Sequence, residues 1–546
     1  MKRTTLQLLT SFLAVVLLFP FSVFAQNNPG SNHGNKFEQL GQKLRDPNGS
    51  RLADGSPGPD YWQQRADYDI ECELDEENLR LNGTEKITYY NQSPNPLRYI
   101  WMQLDENEHD PHNFDNSDDP SSIRPQMSER SLENLDITDA LAEGDYGHKI
   151  HEVTDENGDP LKYTINQTMM RVEVPEPIQA GEEFVFNVKW HYNISDRMGP
   201  AGGRGGYEYF EDDGNYLFTM TQWFPRLCVY SDFEGWQNKQ FTGRGEFALN
   251  FGNYVVKMTV PSDHMVGSTG ECLNYSTVLS DTQMERWKKA QTAKEPIEIV
   301  TLAEAKKNEK KKKAKDTKTW IFKADNVRDF AWTSSRKFVW DAMPHFNEDG
   351  KKVMCMSYYA KEAYPIYSKY STKTVAHTLK TYSNYTFPYP YPVAISVEAA
   401  NGMEYPMICF NPGRAEEDGT YTERAKMAAL VVIVHEVGHN YFPMIVNSDE
   451  RQWTWMDEGI NSFMEFVTLQ EFDTNFKHWG GTTDLITGYM RSSKNRLEPI
   501  MTNSENIVNF GANAYDKPAT GLNMLRETIM GRELFDYAFK EYARRW

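Results

Sequence analysis

The chain has 546 residues, 39% of them hydrophobic and 13% aromatic. At roughly 150 residues per domain this is material for three or four folding units with large cores, which excludes a globally disordered chain. Its 58 basic and 78 acidic side chains leave a formal charge of -20. That balance excludes nucleic acid as the main partner, because phosphate binding requires a basic face.

Residues 1–25 read as a signal peptide. Lys2 and Arg3 form the positive start, Phe12 to Phe19 the apolar centre, and Val23-Phe24-Ala25 the cleavage site. Pro20 interrupts the apolar run and no long hydrophobic stretch follows, which argues against a membrane anchor. Gln26, not Cys, follows the cut, so no lipid anchor is expected. The mature protein is expected to be exported, to the bacterial periplasm or the medium, without a membrane span. Residues 26–65, rich in Asn, Gly, Ser and Pro, read as a flexible leader.

Residues 66–325 carry strand patterning. Tyr68, Ile70 and Cys72 alternate with polar residues, as do Phe184, Phe186, Val188 and Trp190, and Val256, Met258 and Val260. Asn82-Gly83 reads as a turn ahead of Ile87, Tyr89 and Asn91. The pattern predicts an antiparallel β domain with two insertions. Residues 105–145 are acidic and read as a surface excursion. Residues 283–318 are charged and helix-like, with the basic run Lys306 to Lys315, and read as a solvated insertion or as a docking patch for an acidic partner. The run Gly202-Gly203-Arg204-Gly205-Gly206 lacks the Gly-Lys-Ser/Thr ending of a phosphate loop and reads as a flexible loop. Cys72, Cys228, Cys272, Cys355 and Cys409 contain no C-x-x-C pair, so no cysteine zinc site is visible; one bridge is possible, and at least one thiol stays unpaired.

Residues 326–546 turn helical and apolar. A helix is predicted from Glu362 to Tyr385, a strand from Val393 to Val397, and a second apolar run from Met407 to Phe410. Thr420-x-x-Glu423 has the form of a capping box, and the helix after it carries His435-Glu436-Val437-Gly438-His439 before Pro443. A spacing of four residues puts His435 and His439 one turn apart on one face, so both imidazoles reach a single ion. Glu436 sits one step round, placed to take a proton from water at that ion. Gly438 costs a helix about 1 kcal/mol relative to Ala, which points to a close contact at that turn. A hydrolytic zinc site needs a third protein ligand. The next helix, from about Thr454, offers Glu458 for that place and Glu465 two turns on, either as an acceptor for an imidazole N–H or as an ordinary helix carboxylate.

H-E-x-x-H followed after eighteen residues by Glu458, within Trp455-Met456-Asp457-Glu458-Gly459, resembles the gluzincin metallopeptidases of the aminopeptidase N family. Gly402-Met403-Glu404 is similar to that family's Gly-x-Met-Glu-Asn signature, with Asn401 in place of the first Gly and Tyr405 in place of the Asn. Tyr515-Asp516-Lys517-Pro518-Ala519 is similar to its Tyr-x-Lys-Gly-Ala, with Pro518 for Gly. The resemblance implies one Zn²⁺ per chain on His435, His439 and Glu458, Glu436 as general base, and Tyr515 as donor to the oxyanion. It implies Glu404 as the anchor for a substrate's free α-amino group, beside Gly402 and Met403. Thr219-Met220-Thr221-Gln222 loosely resembles the stretch supplying a second amine-binding residue, so Gln222 is either that group or a plain loop polar residue. The implied fold is multidomain: an antiparallel all-β saddle, then a thermolysin-like α/β catalytic domain with zinc between helices. The chain reaches Trp546 inside an amphipathic helix pattern, as though cut there. The implied activity is removal of N-terminal residues from peptides. Two alternatives are an endopeptidase on the same site and a non-catalytic peptide-binding relative.

Overall fold

Side chains that alternate between buried and exposed every second residue build the first half of the molecule as sheets, seen most plainly in strand Arg65–Asp75. The computed structural model describes residues 46–110, 144–199, 202–472 apart from 242 and 244, and 483–546. The expected signal peptide, half of the expected leader and most of the acidic insertion lie outside the described residues.

The largest sheet has seven strands, in the spatial order Glu271–Cys272, Thr317–Val327, Gly252–Pro261, Arg65–Asp75, Arg80–Tyr90, Glu183–Asn193 and Lys149–Asp155. Its pairings are antiparallel except Arg65–Asp75 with Gly252–Pro261, which run parallel. The long excursion between these two strands supplies the crossover that a parallel pair needs, and it departs from the purely antiparallel expectation. Two four-stranded sheets and the two-stranded pair Tyr230–Ser231 with Gly235–Trp236 complete the β region among the described residues. One contains Leu97–Gln103 and Met169–Ile178; the other is ordered Met265–Ser268, Trp332–Ser335, Asn215–Met220 and Gly206–Phe210.

Several local expectations are corrected. Asn82-Gly83 is no turn: Gly83 lies mid-strand opposite Trp190, where a Cβ would overlap the indole. The glycine is there for close approach, and the hairpin turns instead between Asp75 and Arg80. Strand Trp332–Ser335 still pairs inside the β region, past the expected boundary at 325. Residues 105–109 do not lie on the surface; they form a 3₁₀ turn with Asp105, Glu106, Asn107 and His109 buried. The basic stretch contains helices α1 (Asp281–Ala290) and α2 (Leu302–Glu309), separated by strand Ile297–Val300. That strand joins the catalytic sheet, so the insertion is partly structural. All five cysteines are free, Cys272 half-buried and the others buried.

The second half is built on a six-stranded mixed sheet, ordered Ile297–Val300, Val339–Phe346, Lys352–Tyr359, Val393–Glu398, Ile408–Asn411 and Met403–Tyr405. Met403–Tyr405 forms its edge. Helices α3 (Tyr364–Tyr385), α4 (Glu423–Gly438), α5 (Glu458–Phe472), α6 (Lys517–Met524) and α7 (Arg532–Arg545) complete this α/β region. One continuous apolar core runs from Ala66 through Trp223 and Trp332 to Phe535 and Ala543, so the two regions share their interior. No helix among the described residues is long and apolar enough to cross a membrane.

Burial gives the β region a measurable acid sensitivity. His148 packs against Trp190 and Tyr192 at ring-centroid distances of 5.5 and 5.3 Å. Its desolvation holds the imidazole pKa down at about 3. The unfolded chain takes up that proton below about pH 6.5, whereas the folded chain refuses it until far lower, so stability is intact above 6.5 and lost as pH falls. Glu108, raised to about 8 by burial, works in the opposite sense. A variant isolates the histidine's share. His148→Gln is expected to lose about 2 kcal/mol less than the parent between pH 7.5 and 5, read from urea unfolding at both pH values. Equal losses would show that His148 does not titrate in this way.

Candidate metal centre

Helix α4 starts one cap later than its sequence suggests. Thr422, not Thr420, caps it, its hydroxyl accepting from the Ala425 N–H at 3.1 Å. The helix ends at Gly438 rather than continuing towards Pro443. His435 and Glu436 therefore occupy its last turn, and His439 is the residue that caps it. Gly438 is needed where it stands: a Cβ would overlap the Tyr382 hydroxyl and Asn461 Oδ1. Those two groups bond to each other at 2.7 Å, and the Asn461 amide donates to the His435 carbonyl at 2.8 Å. They lock α3, α4 and α5 together at the level of the histidines.

The first turn of α5 brings Glu458 to the same place. His435 Nε2 is 3.0 Å from His439 Nε2 and 3.0 Å from Glu458 Oε2, and His439 Nε2 is 3.3 Å from that oxygen. The other ring nitrogens are taken. His435 Nδ1 lies 2.8 Å from Glu465 Oε2. His439 Nδ1 lies 2.9 Å from the Phe442 carbonyl and 3.0 Å from Asp457 Oδ1. With each Nδ1–H donating outward, both Nε2 lone pairs and a carboxylate oxygen converge on one point. Three electron donors facing one another repel unless a cation or a proton lies between them, so the donor set fits a tetrahedral zinc ion. The same crowding acts on acidity. Burial opposes protonation of His435, but its bonds to Glu458 and Glu465 outweigh this and raise its pKa to about 10.

Glu436 is buried beside this cluster, and desolvation lifts its carboxyl to about 7 against the opposing charge of the two histidines. Gly402 lies directly over it, where a Cβ would collide with Glu436 Oε1. Glu404 follows on the edge strand, 4% exposed, with Oε1 lacking any hydrogen-bond partner. One ligand atom each from Glu404, His439 and Asp457 fall within 4.8 Å of one another. Met403 is buried in the apolar core. The Tyr515 hydroxyl donates to Glu458 Oε1 at 2.6 Å, and its ring stacks on His435 at 5.9 Å. Burial raises the pKa of this phenol, so it keeps its proton. Gln222 lies just past strand Asn215–Met220, buried, with φ 56° and with Nε2 unpartnered; no hydrogen bond joins it to Glu404.

Three groups escaped the sequence reading. Asp457 is fully buried against His439, and burial raises its carboxyl to about 7. Glu246, from a β-region loop, brings a ligand atom within 4.8 Å of those of Asp457 and Glu458. Arg204, in the glycine run, pairs with Glu246 at 2.5 Å and lies 3.7 Å from Glu404. Only the adjacency of Asp457 to Glu458 was visible in the chain.

Residues 370–546 match the model of the peptidase family M1 domain. Aminopeptidase M1-A of Oryza sativa subsp. japonica is 24% identical over 223 residues, covering 38% of this chain and 25% of the relative. Endoplasmic reticulum aminopeptidase 1 of Homo sapiens is 28% identical over 182 residues, covering 29% of this chain and 18% of the relative. The matched stretch thus spans a quarter or less of these relatives' length. The crystal structure of the M1 zinc metallopeptidase from Deinococcus radiodurans superposes with a TM-score of 0.54 at 15% identity, covering 89% of this chain and 87% of that one. That similarity establishes the two-region architecture, a β-rich part followed by an α/β part.

Proposed function

The chain carries a peptidase family M1 domain over residues 370–546, and from that premise we propose that it is a zinc-dependent aminopeptidase acting on peptides with a free N-terminus. One observation carries the reading: Glu404 is buried with Oε1 unpartnered, and one of its carboxylate oxygens lies within 4.8 Å of a ring nitrogen of His439, an imidazole of the metal cluster itself. An α-ammonium nitrogen is only two covalent bonds, about 2.5 Å, from the first carbonyl carbon, and the next carbonyl is a further ~3.5 Å along an extended chain. An ammonium held by Glu404 therefore presents the first peptide bond to the metal centre.

The remaining roles are proposed on the same reading. His435, His439 and Glu458 would hold zinc, which when bound would supply a Lewis acid for the scissile carbonyl and lower the pKa of water to about 7. Glu465, bonded to His435 Nδ1, orients that imidazole. Glu436, its acidity tuned near neutrality by burial, accepts the water proton and returns it to the leaving amine. The Tyr515 hydroxyl, which donates to Glu458 Oε1 here, would turn its one proton to the developing oxyanion, a contribution on the order of 3 kcal/mol. Glu404 binds the ammonium through a charge-assisted hydrogen bond, and Met403 supports the strand that presents it.

Rates on an aminoacyl anilide and on its N-acetyl equivalent test the proposal. The parent enzyme is expected to prefer the free amine by at least about 100-fold, and Glu404→Gln to shrink that preference about tenfold or more. Equal cleavage of both substrates by the parent would favour an endopeptidase.

A further inference from the structure

The glycines of the run at 202–206 deliver one cation to the cleft. A Cβ on Gly203 would collide with the His109 ring, and one on Gly205 with the Thr221 hydroxyl, so the backbone lies flat against both. Between them Arg204 reaches the acidic end of the site. Its Nη1 and Nη2 bond Glu246 Oε1 and Oε2 at 2.8 and 2.5 Å, the bidentate geometry in which guanidinium and carboxylate pair best. Its face lies 5.5 Å from the Phe247 ring centre. Glu404 Oε2 is next, at 3.7 Å and outside hydrogen-bond range, while Glu404 Oε1 has no partner.

We propose that Glu246 is a positioning residue: it holds Arg204 off Glu404, so that the Glu404 carboxylate stays open to the substrate's ammonium. The inference rests on the reading of Glu404 as the amine anchor. With both carboxylates ionised, they and the one guanidinium sum to a single negative charge; burial and the charge of Glu246 push the Glu404 carboxyl up, and an arriving ammonium offsets both. Remove the charge of Glu246, and Glu404 is the nearest carboxylate to a freed guanidinium. Arg204 then needs to move about 1 Å to make a hydrogen bond to Glu404 Oε2, where it competes with the substrate's ammonium for the carboxylate.

The test uses the zinc-loaded enzyme and leucyl and arginyl anilides. Glu246→Gln is expected to raise KM for the leucyl substrate about tenfold, with kcat within about twofold. The double variant Glu246→Gln/Arg204→Gln restores the single charge and brings KM back to within about threefold of the parent, a rescue that a purely structural role for Glu246 does not produce. Arg204→Gln alone leaves two uncompensated carboxylates, and shifts the arginyl-over-leucyl ratio of kcat/KM upward several-fold. A double variant that keeps the high KM overturns the proposal, as does an unchanged arginyl-over-leucyl ratio in Arg204→Gln, which decides the matter even if Glu246→Gln does not fold. Glu404→Gln, assayed alongside, separates the two levels. If it leaves the free-amine preference intact, the anchor reading falls. If it abolishes that preference while the rescue fails, only the role of Glu246 falls.

Discussion

Replacing Glu436 with glutamine is expected to leave zinc bound and to lower kcat on the order of 10³-fold. Glutamine keeps the size and planarity of the side chain, so the packing under Gly402 survives, but its amide cannot accept and return a proton. Glu436 is no part of the His435–His439–Glu458 cluster, whose atoms lie within 4.8 Å of one another, so metal content is insulated from the change. Measuring zinc by elemental analysis together with turnover separates the roles. Intact zinc with unchanged kcat would reject Glu436 as the base, and lost zinc would mean that it helps to hold the metal.

Stripping the metal is expected to abolish turnover and to lower the thermal midpoint by roughly 5–10 °C, with both restored by stoichiometric zinc. The physical reason is the geometry of the donors: His435 Nε2, His439 Nε2 and Glu458 Oε2 lie 3.0 to 3.3 Å apart. Without a cation they must share a proton or separate. A ligand present at about 1,000 times its Kd adds about 4 kcal/mol to stability, and each kcal/mol moves the midpoint of a large domain by about 2 °C. His439→Ala removes one donor, so its midpoint should not respond to zinc. A zinc-dependent rise of parental size in that variant would show that the metal sits elsewhere.

The parts of the site that were legible in the chain are those in which helical geometry converts spacing into proximity. His435 and His439 are one turn apart on one helix, and Glu458 and Glu465 two turns apart on another, where Glu465 meets His435 Nδ1 at 2.8 Å. Gly438 was legible as a close contact because an interior helical glycine is costly, and the Tyr382 hydroxyl supplies that contact. The same reasoning misleads at Gly83, where Asn-Gly predicts a turn and the glycine instead serves close approach to Trp190. Asn-Gly has both uses, and the neighbour that distinguishes them is a strand more than a hundred residues away.

By itself, then, the amino-acid order determined which side chains cluster as candidate metal ligands, the neighbouring carboxylate proposed as base, and the succession of a β region and an α/β region, because periodicities of 2 and 3.6 residues are local properties of the backbone. Tertiary structure alone decided the surroundings of those groups. It set Asp457 against His439, returned strand Ile297–Val300 to the catalytic sheet, and brought Arg204 and Glu246 from separate loops to within reach of Glu404. Loops have no periodicity, and their meeting points depend on how every intervening strand pairs, so charges that converge across them leave no local mark in the sequence.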